Sequence, residues 1–175
     1  MRLTAARSRS ATVSRRNGSG RAGAVVVAGA HGGAGATTLA VWLQPAWDAG
    51  VIRRPRRDGP VFSTGGRPLV LAVRNTVASA GRAAGAVNAL TRQGVRVDVL
   101  AVVSDGLPEP AEASYRFEVL AARIPVTVRV PFVGSLRAAG SPAAVDLPRG
   151  ARRAVANIQA AALGQAAARE FAETR

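Results

Sequence analysis

The sequence has no cysteine and no lysine, and only one histidine, His31. Without cysteine there are no disulfides, no thiolate nucleophile and no thiolate metal ligands, and one histidine rules out a histidine-rich metal site. The lack of thiols fits a reducing cytoplasm. Acids are scarce as well, 10 against 24 cations. Asp98, Glu109, Glu112 and Glu118 are scattered, and none forms the carboxylate pair that general acid–base chemistry uses. The serines have no histidine to activate them, since His31 belongs to a glycine-rich turn. Conventional catalysis therefore has no residues to draw on.

All 24 cations are arginine, and the formal net charge is +14. Abundant Ala, Arg and Gly without Lys is what GC-rich codons produce, so part of this charge is compositional and points to a high-GC bacterial source. The remainder favours anionic partners: nucleic acid, an acidic protein face or an anionic membrane surface. Two segments concentrate it. Residues 1–22 carry Arg2, Arg7, Arg9, Arg15, Arg16 and Arg21 with no acid, and read as a disordered basic tail. Arg53, Arg54, Arg56 and Arg57 cluster in a second stretch. No helix-turn-helix, zinc finger or basic zipper accompanies them, which excludes those modes of sequence-specific DNA reading.

Residues 22–47 hold no charge apart from His31 and follow an arginine-rich start, the outline of an export signal or a membrane span. The segment after Arg16 is Asn17-Gly18-Ser19-Gly20 rather than apolar, and glycines and threonines interrupt the rest. A cytoplasmic location is the expectation, with membrane association through the arginines left open.

At 175 residues and 48% apolar content the chain has room for one cored domain, expected over residues 23–173. Residues 24–29 (AVVVAG) read as a buried strand, followed by a glycine turn and a helix over 37–44 stopped by Pro45. Residues 50–68, broken by Pro and Gly, read as a loop. Strands are expected at 69–73, 95–104 and 126–130. Helices are expected from a Thr76 cap to Gln93, from Pro110 to about Arg123, and from Arg149 to Glu173. Alternating strands and helices predict an α/β domain with a small, mainly parallel sheet and right-handed crossovers.

Residues 29–38 (GAHGGAGATT) lie between the first strand and the first helix, the setting in which a glycine string becomes a phosphate loop. Glycines let the backbone bend close to a polyphosphate, with successive N–H groups facing its oxygens. The candidate nucleotide-binding residues are Gly32, Gly33, Gly35, Ala36, Thr37 and Thr38, and the Thr37 hydroxyl is the candidate Mg²⁺ ligand. The string resembles the deviant loop KGGxGKTT of the ParA/MinD group of P-loop ATPases, matching at Gly32, Gly33, Gly35, Thr37 and Thr38. Residues 69–75, 100–105 (LAVVSD) and 130–136 (VPFVGSL) resemble later segments of that group, so the likeness spans about residues 24–140. It implies a three-layer P-loop NTPase-like (Rossmann-like) fold, ATP or another nucleotide with Mg²⁺ as cofactor, and a role in plasmid maintenance or conjugative transfer. Small versions with an eroded loop resemble those of actinobacterial plasmids and integrative elements.

The departures from that pattern bear on function. Ala36 stands where the group has its loop lysine, His31 where it has its second signature lysine, and Ala30 where it has the first loop glycine. Asp105 occupies the place of the base-reading Asn. The Mg²⁺-positioning acids find no match, because residues 45–68 read as too short and irregular to carry them. A loop lysine neutralises charge as the phosphoryl group transfers, so the expected protein is not an enzyme but a P-loop-like adaptor or regulator with a protein partner. The glycine turn itself is expected first of all to be a tight strand–helix turn kept for packing, with nucleotide binding second. Two alternatives stay open: a nucleotide-binding switch without efficient hydrolysis, and a non-specific basic nucleic-acid binder. An arginine from 53–57 or from a second subunit is the conceivable substitute cation. His31 is expected to be an ordinary turn residue, with phosphate contact as the alternative, and Trp42 and Trp47 are expected to pack the first helix onto the sheet.

Overall fold

The computed structural model describes residues 24–53 and 62–173. The expected basic tail and Arg54, Arg56 and Arg57 lie outside the described residues. Nine principal elements follow in order: β1 (Val25–Gly29), α1 (Ala36–Trp42), β2 (Ala46–Val51), β3 (Leu69–Arg74), α2 (Val77–Thr91), β4 (Val99–Val103), α3 (Ala111–Ala121), β5 (Val126–Val130) and α4 (Arg149–Glu173). Two short 3₁₀ turns, Gly134–Arg137 and Pro142–Ala144, lie between β5 and α4.

The strands form one all-parallel sheet in the order β2-β1-β3-β4-β5. Successive residues of a strand face opposite sides, and both sides here are apolar, as a doubly covered parallel sheet requires. Val25 and Val27 of β1 join Leu39 and Leu43 near α1 and Val155 and Ile158 of α4. Val26 and Ala28 join Ala83, Val87 and Leu90 of α2 and Phe117 of α3. The result is a three-layer, Rossmann-like α/β fold. Placing α1 on one face and α2 and α3 on the other follows from right-handed crossovers, since the β1-to-β2 connection runs one way along the sheet and the β3-to-β4 and β4-to-β5 connections the other, and α4, after the last strand, packs on the face of α1.

Helix ends follow local chemistry. The Thr76 hydroxyl accepts from the Ser79 amide and caps α2. Gly94, at φ +70°, ends α2, and the Val95 amide donates back to the Leu90 carbonyl. That closure takes Val95 out of the sheet, so the strand expected from 95 begins at Val99. The expected loop over 50–68 gives up its first two residues: Ala46–Val51 form β2, a strand with no expected counterpart, at the sheet edge and exposed for most of its length. The described part of that uncharged region, residues 24–47, is divided between β1, the glycine turn, α1 and the start of β2. Among the described residues no helix is long and apolar enough to cross a membrane.

Candidate functional site

The chain moves from β1 to β2 on one side and from β3 to β4 on the other. The turns leaving β1 and β3 therefore diverge and open a crevice at the carboxyl ends of the strands, where open α/β sheets hold their ligands. The glycine turn forms one wall. Gly33 and Gly35 have φ of +77° and +91°, a region that residues with a Cβ enter at a cost. Gly29 is required for a different reason: a Cβ there would come 3.1 Å from the His31 carbonyl oxygen. Gly32 has neither constraint.

A depression of about 300 Å³ lies against this turn, lined by Gly33, Gly35, Ala36, Thr37, Thr38 and, across from them, Asp48 and Arg74 among others. Five of the six candidate residues thus come together. Gly32 does not line it. α1 has only seven residues, so its dipole is small and side chains carry the chemistry.

Three side chains define the site. The Thr37 hydroxyl donates to Asp48 Oδ2 at 2.6 Å, and Asp48 Oδ1 accepts from the Gly50 amide at 2.8 Å, which holds the carboxylate in place. Residues 45–68 were expected to be too irregular to carry the Mg²⁺-positioning acids; the structure instead has an ordered strand there, β2, which pairs with β1, Val27 against Asp48, and delivers that carboxylate beside the loop. Arg74, at the end of β3, donates from Nε to the Gly33 carbonyl at 2.8 Å and from Nη1 to the Ser104 carbonyl at 3.2 Å. It is a cation lining the depression and reaching into the loop. Arg53 is exposed and lines a separate depression with Ala30 and Arg82.

Ala36 is 9% exposed and packs in the apolar cluster with Val25, Val27 and Leu39. Position 36 therefore lies between that apolar cluster and the depression it lines. His31 is buried; its Nδ1 bonds the Gly32 carbonyl at 2.8 Å, and its Nε2 lies 3.5 Å from the Arg74 amide. A ring with Nδ1 donating braces the turn from beneath, in line with the turn-residue reading. Trp42 donates from its indole to the Pro142 carbonyl at 3.1 Å. Trp47 does not pack the helix onto the sheet: it is 55% exposed on β2, with the Arg67 guanidinium 4.5 Å over its ring. An edge strand with one face uncovered leaves it there.

The oxygens present fit Mg²⁺, which takes one or two carboxylates and fills its octahedron with water and substrate phosphates. Thr37 and Asp48 supply two hard oxygens. Among the described residues no group of three or more His, Asp or Glu gathers, so an ion here depends on the phosphates of a ligand.

A second depression of about 310 Å³ shares Gly35, Thr38 and Arg74 with the first and extends over β4 and β5, with Trp42, Asp105, Phe132 and Arg137 on its walls. Beyond it Arg129 clasps Glu109 with bonds of 2.7 and 3.1 Å. Hydrogen bonding from Arg129 outweighs burial and holds the Glu109 carboxyl below its ordinary range; the same bond raises Arg129.

Local pattern reading found the loop and missed Asp48 and Arg74. The available signals were weak: an acid just past the helix stop, and a cation closing the apolar run 69–73. Comparison with known proteins gives no match to a family model, a curated protein or a solved structure.

Proposed function

We propose that this domain is a non-catalytic P-loop-like adaptor whose glycine turn still binds a nucleotide with Mg²⁺, a switch without efficient hydrolysis. The observation that carries this reading is the Thr37–Asp48 contact of 2.6 Å at the foot of the turn. P-loop NTPases hold Mg²⁺ with this combination, a loop Ser or Thr and an Asp from a strand. Asp48 is mostly exposed and on an edge strand, so core packing gives no reason for it. Arg74 provides one positive charge for the phosphates. It is anchored to two backbone carbonyls and cannot follow charge onto a leaving group as a flexible lysine does. Binding without turnover is the consequence. The resemblance to ParA/MinD proteins supports plasmid maintenance or transfer as the process, and partition or transfer genes beside this one would strengthen it.

Isothermal titration of the full chain with ATP, GTP and tripolyphosphate, with and without Mg²⁺, tests the reading. Expected is Mg²⁺-dependent binding that weakens at least tenfold in Thr37→Val and in Asp48→Asn, with no phosphate release above background. Absence of binding at millimolar ligand would reduce the turn to a packing element. Robust hydrolysis would overturn the non-catalytic reading.

A further inference from the structure

We propose that the opposite end of the sheet carries a docking groove for a partner protein, filled by an acidic segment that presents a large aliphatic side chain. This goes beyond the nucleotide reading and does not depend on it.

The groove lies where the chain enters the last two strands, at the edge of the sheet away from the glycine turn. α2 and α3 both end there, and the turns leading into β4 and β5 enclose a depression of about 680 Å³, more than twice the volume of either depression beside the glycine turn. Val87, Val95, Val97 and Ile124 give it an aliphatic lining, and Arg96 and Arg123 are its only charged residues. The one lining hydroxyl, Thr91, donates to the Val87 carbonyl at 2.9 Å. Carbonyls that end α2 are engaged as well: Leu90 accepts from the Gln93 and Val95 amides, and Thr91 from the Gly94 amide. The two guanidiniums therefore set the electrostatic character of the groove.

Both arginines are exposed and held by neutral partners. Arg123 Nη1 donates to Asn88 Oδ1 at 2.8 Å, and Arg96 Nη2 donates to Gln165 Oε1 at 3.1 Å. A side-chain amide orients a guanidinium without neutralising it, and other N–H groups of the fork stay available. Among the described residues neither arginine forms an ion pair. The flanking segments, residues 92–98 and 122–125, hold Arg92, Arg96 and Arg123 against one acid, Asp98. Asp98 is fully buried and bonded to the Leu69 amide and to Arg169. Glu118, the last acid of α3, does not line the groove.

An aliphatic floor with unneutralised arginines at its rim complements an apolar side chain flanked by carboxylates, which the guanidinium fork binds through two parallel bonds. Nucleic acid is a poorer match, because no aromatic residue lines the groove for a base to stack on. A bilayer is entered by apolar groups that protrude, whereas these are recessed.

The test is fluorescence anisotropy on the full chain without nucleotide. The probes are a labelled octapeptide, Glu-Asp-Glu-Leu-Leu-Glu-Asp-Glu, its counterpart with both leucines replaced by serine, and an oligothymidylate of equal charge. The leucine peptide should bind roughly tenfold or more tightly than the serine peptide, since burying two leucine side chains exceeds the energy of one decade in affinity. Arg96→Gln with Arg123→Gln should remove most of that binding. Arg152→Gln with Arg153→Gln takes the same charge from α4, on the other face of the sheet, and should leave it nearly unchanged; circular dichroism confirms that both double variants fold. Equal losses in the two double variants, or equal affinity for the two peptides, would show attraction by net charge alone and overturn the groove. Preference for the oligothymidylate, lost with Arg96 and Arg123, would assign the surface to nucleic acid instead. Absence of leucine-peptide binding at millimolar concentration would overturn the proposal outright.

Discussion

Gly35→Ala and Gly32→Ala form a matched pair that separates backbone strain in the loop from every other effect of adding a methyl group. Both residues sit in the same turn, and both substitutions restrict the unfolded chain equally, so that contribution cancels in the comparison. Neither introduces a steric clash: the new Cβ at 32 meets nothing within 4 Å, and the one at 35 lies 3.6 and 3.7 Å from the Val103 methyls, ordinary contact distance. What differs is φ, which is +91° at Gly35 and not positive at Gly32. Holding an L-residue in left-handed space costs about 1–2 kcal/mol. The ψ of 13° at Gly35 and its φ beyond the left-handed minimum place it toward the upper end.

For a domain of this size 1 kcal/mol moves Tm by about 2–4 °C. Gly35→Ala should therefore melt roughly 2–8 °C below Gly32→Ala, followed by circular dichroism at 222 nm. Gly32→Ala itself should melt at or slightly above wild type, because the unfolded state alone is affected. Equal melting temperatures for the two variants would refute the reasoning, since they would mean that the turn is not held in the described conformation. A loss of Mg²⁺-dependent binding confined to Gly35→Ala would connect the strain to function, because Gly35 is the residue from which α1 sets out to place Thr37 beside Asp48.

Placing a lysine at position 36 should not create an ATPase. Ala36 sits between the apolar cluster and the depression, so a lysine there either overpacks the Val25–Leu39 cluster, at about 1–3 kcal/mol, or extends into the depression; in either case phosphate release should stay at background, and clear turnover would contradict the non-catalytic reading. The Glu109–Arg129 pair should show in acid. Glu109 is depressed in the folded state, so its contribution is present above the ordinary glutamate value of about 4.3 and is lost as pH falls through the lower folded value. Arg129 is 54% exposed, which limits the contribution to about 1 kcal/mol. The Tm difference between wild type and Glu109→Gln should accordingly be largest near neutrality and shrink as the pH falls below the ordinary glutamate value, and a constant difference would exclude the linkage.

The parts of the fold visible in the sequence were those whose burial is two-sided. β1, β3 and β4 read as continuous apolar runs because a doubly covered parallel strand is apolar at every position. α2 carried its own cap and stop in Thr76 and Gly94. β2 has none of this. It is an edge strand with an acid and a glycine inside it and no helix over its outer face, so Ala46–Val51 offers neither a run nor an alternation. What was lost with β2 was half of the site, because Asp48 rides on it. Thr37, Asp48 and Arg74 leave three different strands, and only the order β2-β1-β3 brings them to one crevice. Sequence spacing carries no trace of that order. The missing lysine was legible as an absence at position 36, whereas the cation lining the same depression enters from the far side of the crevice, from the end of a strand whose own pattern recorded only that it is buried.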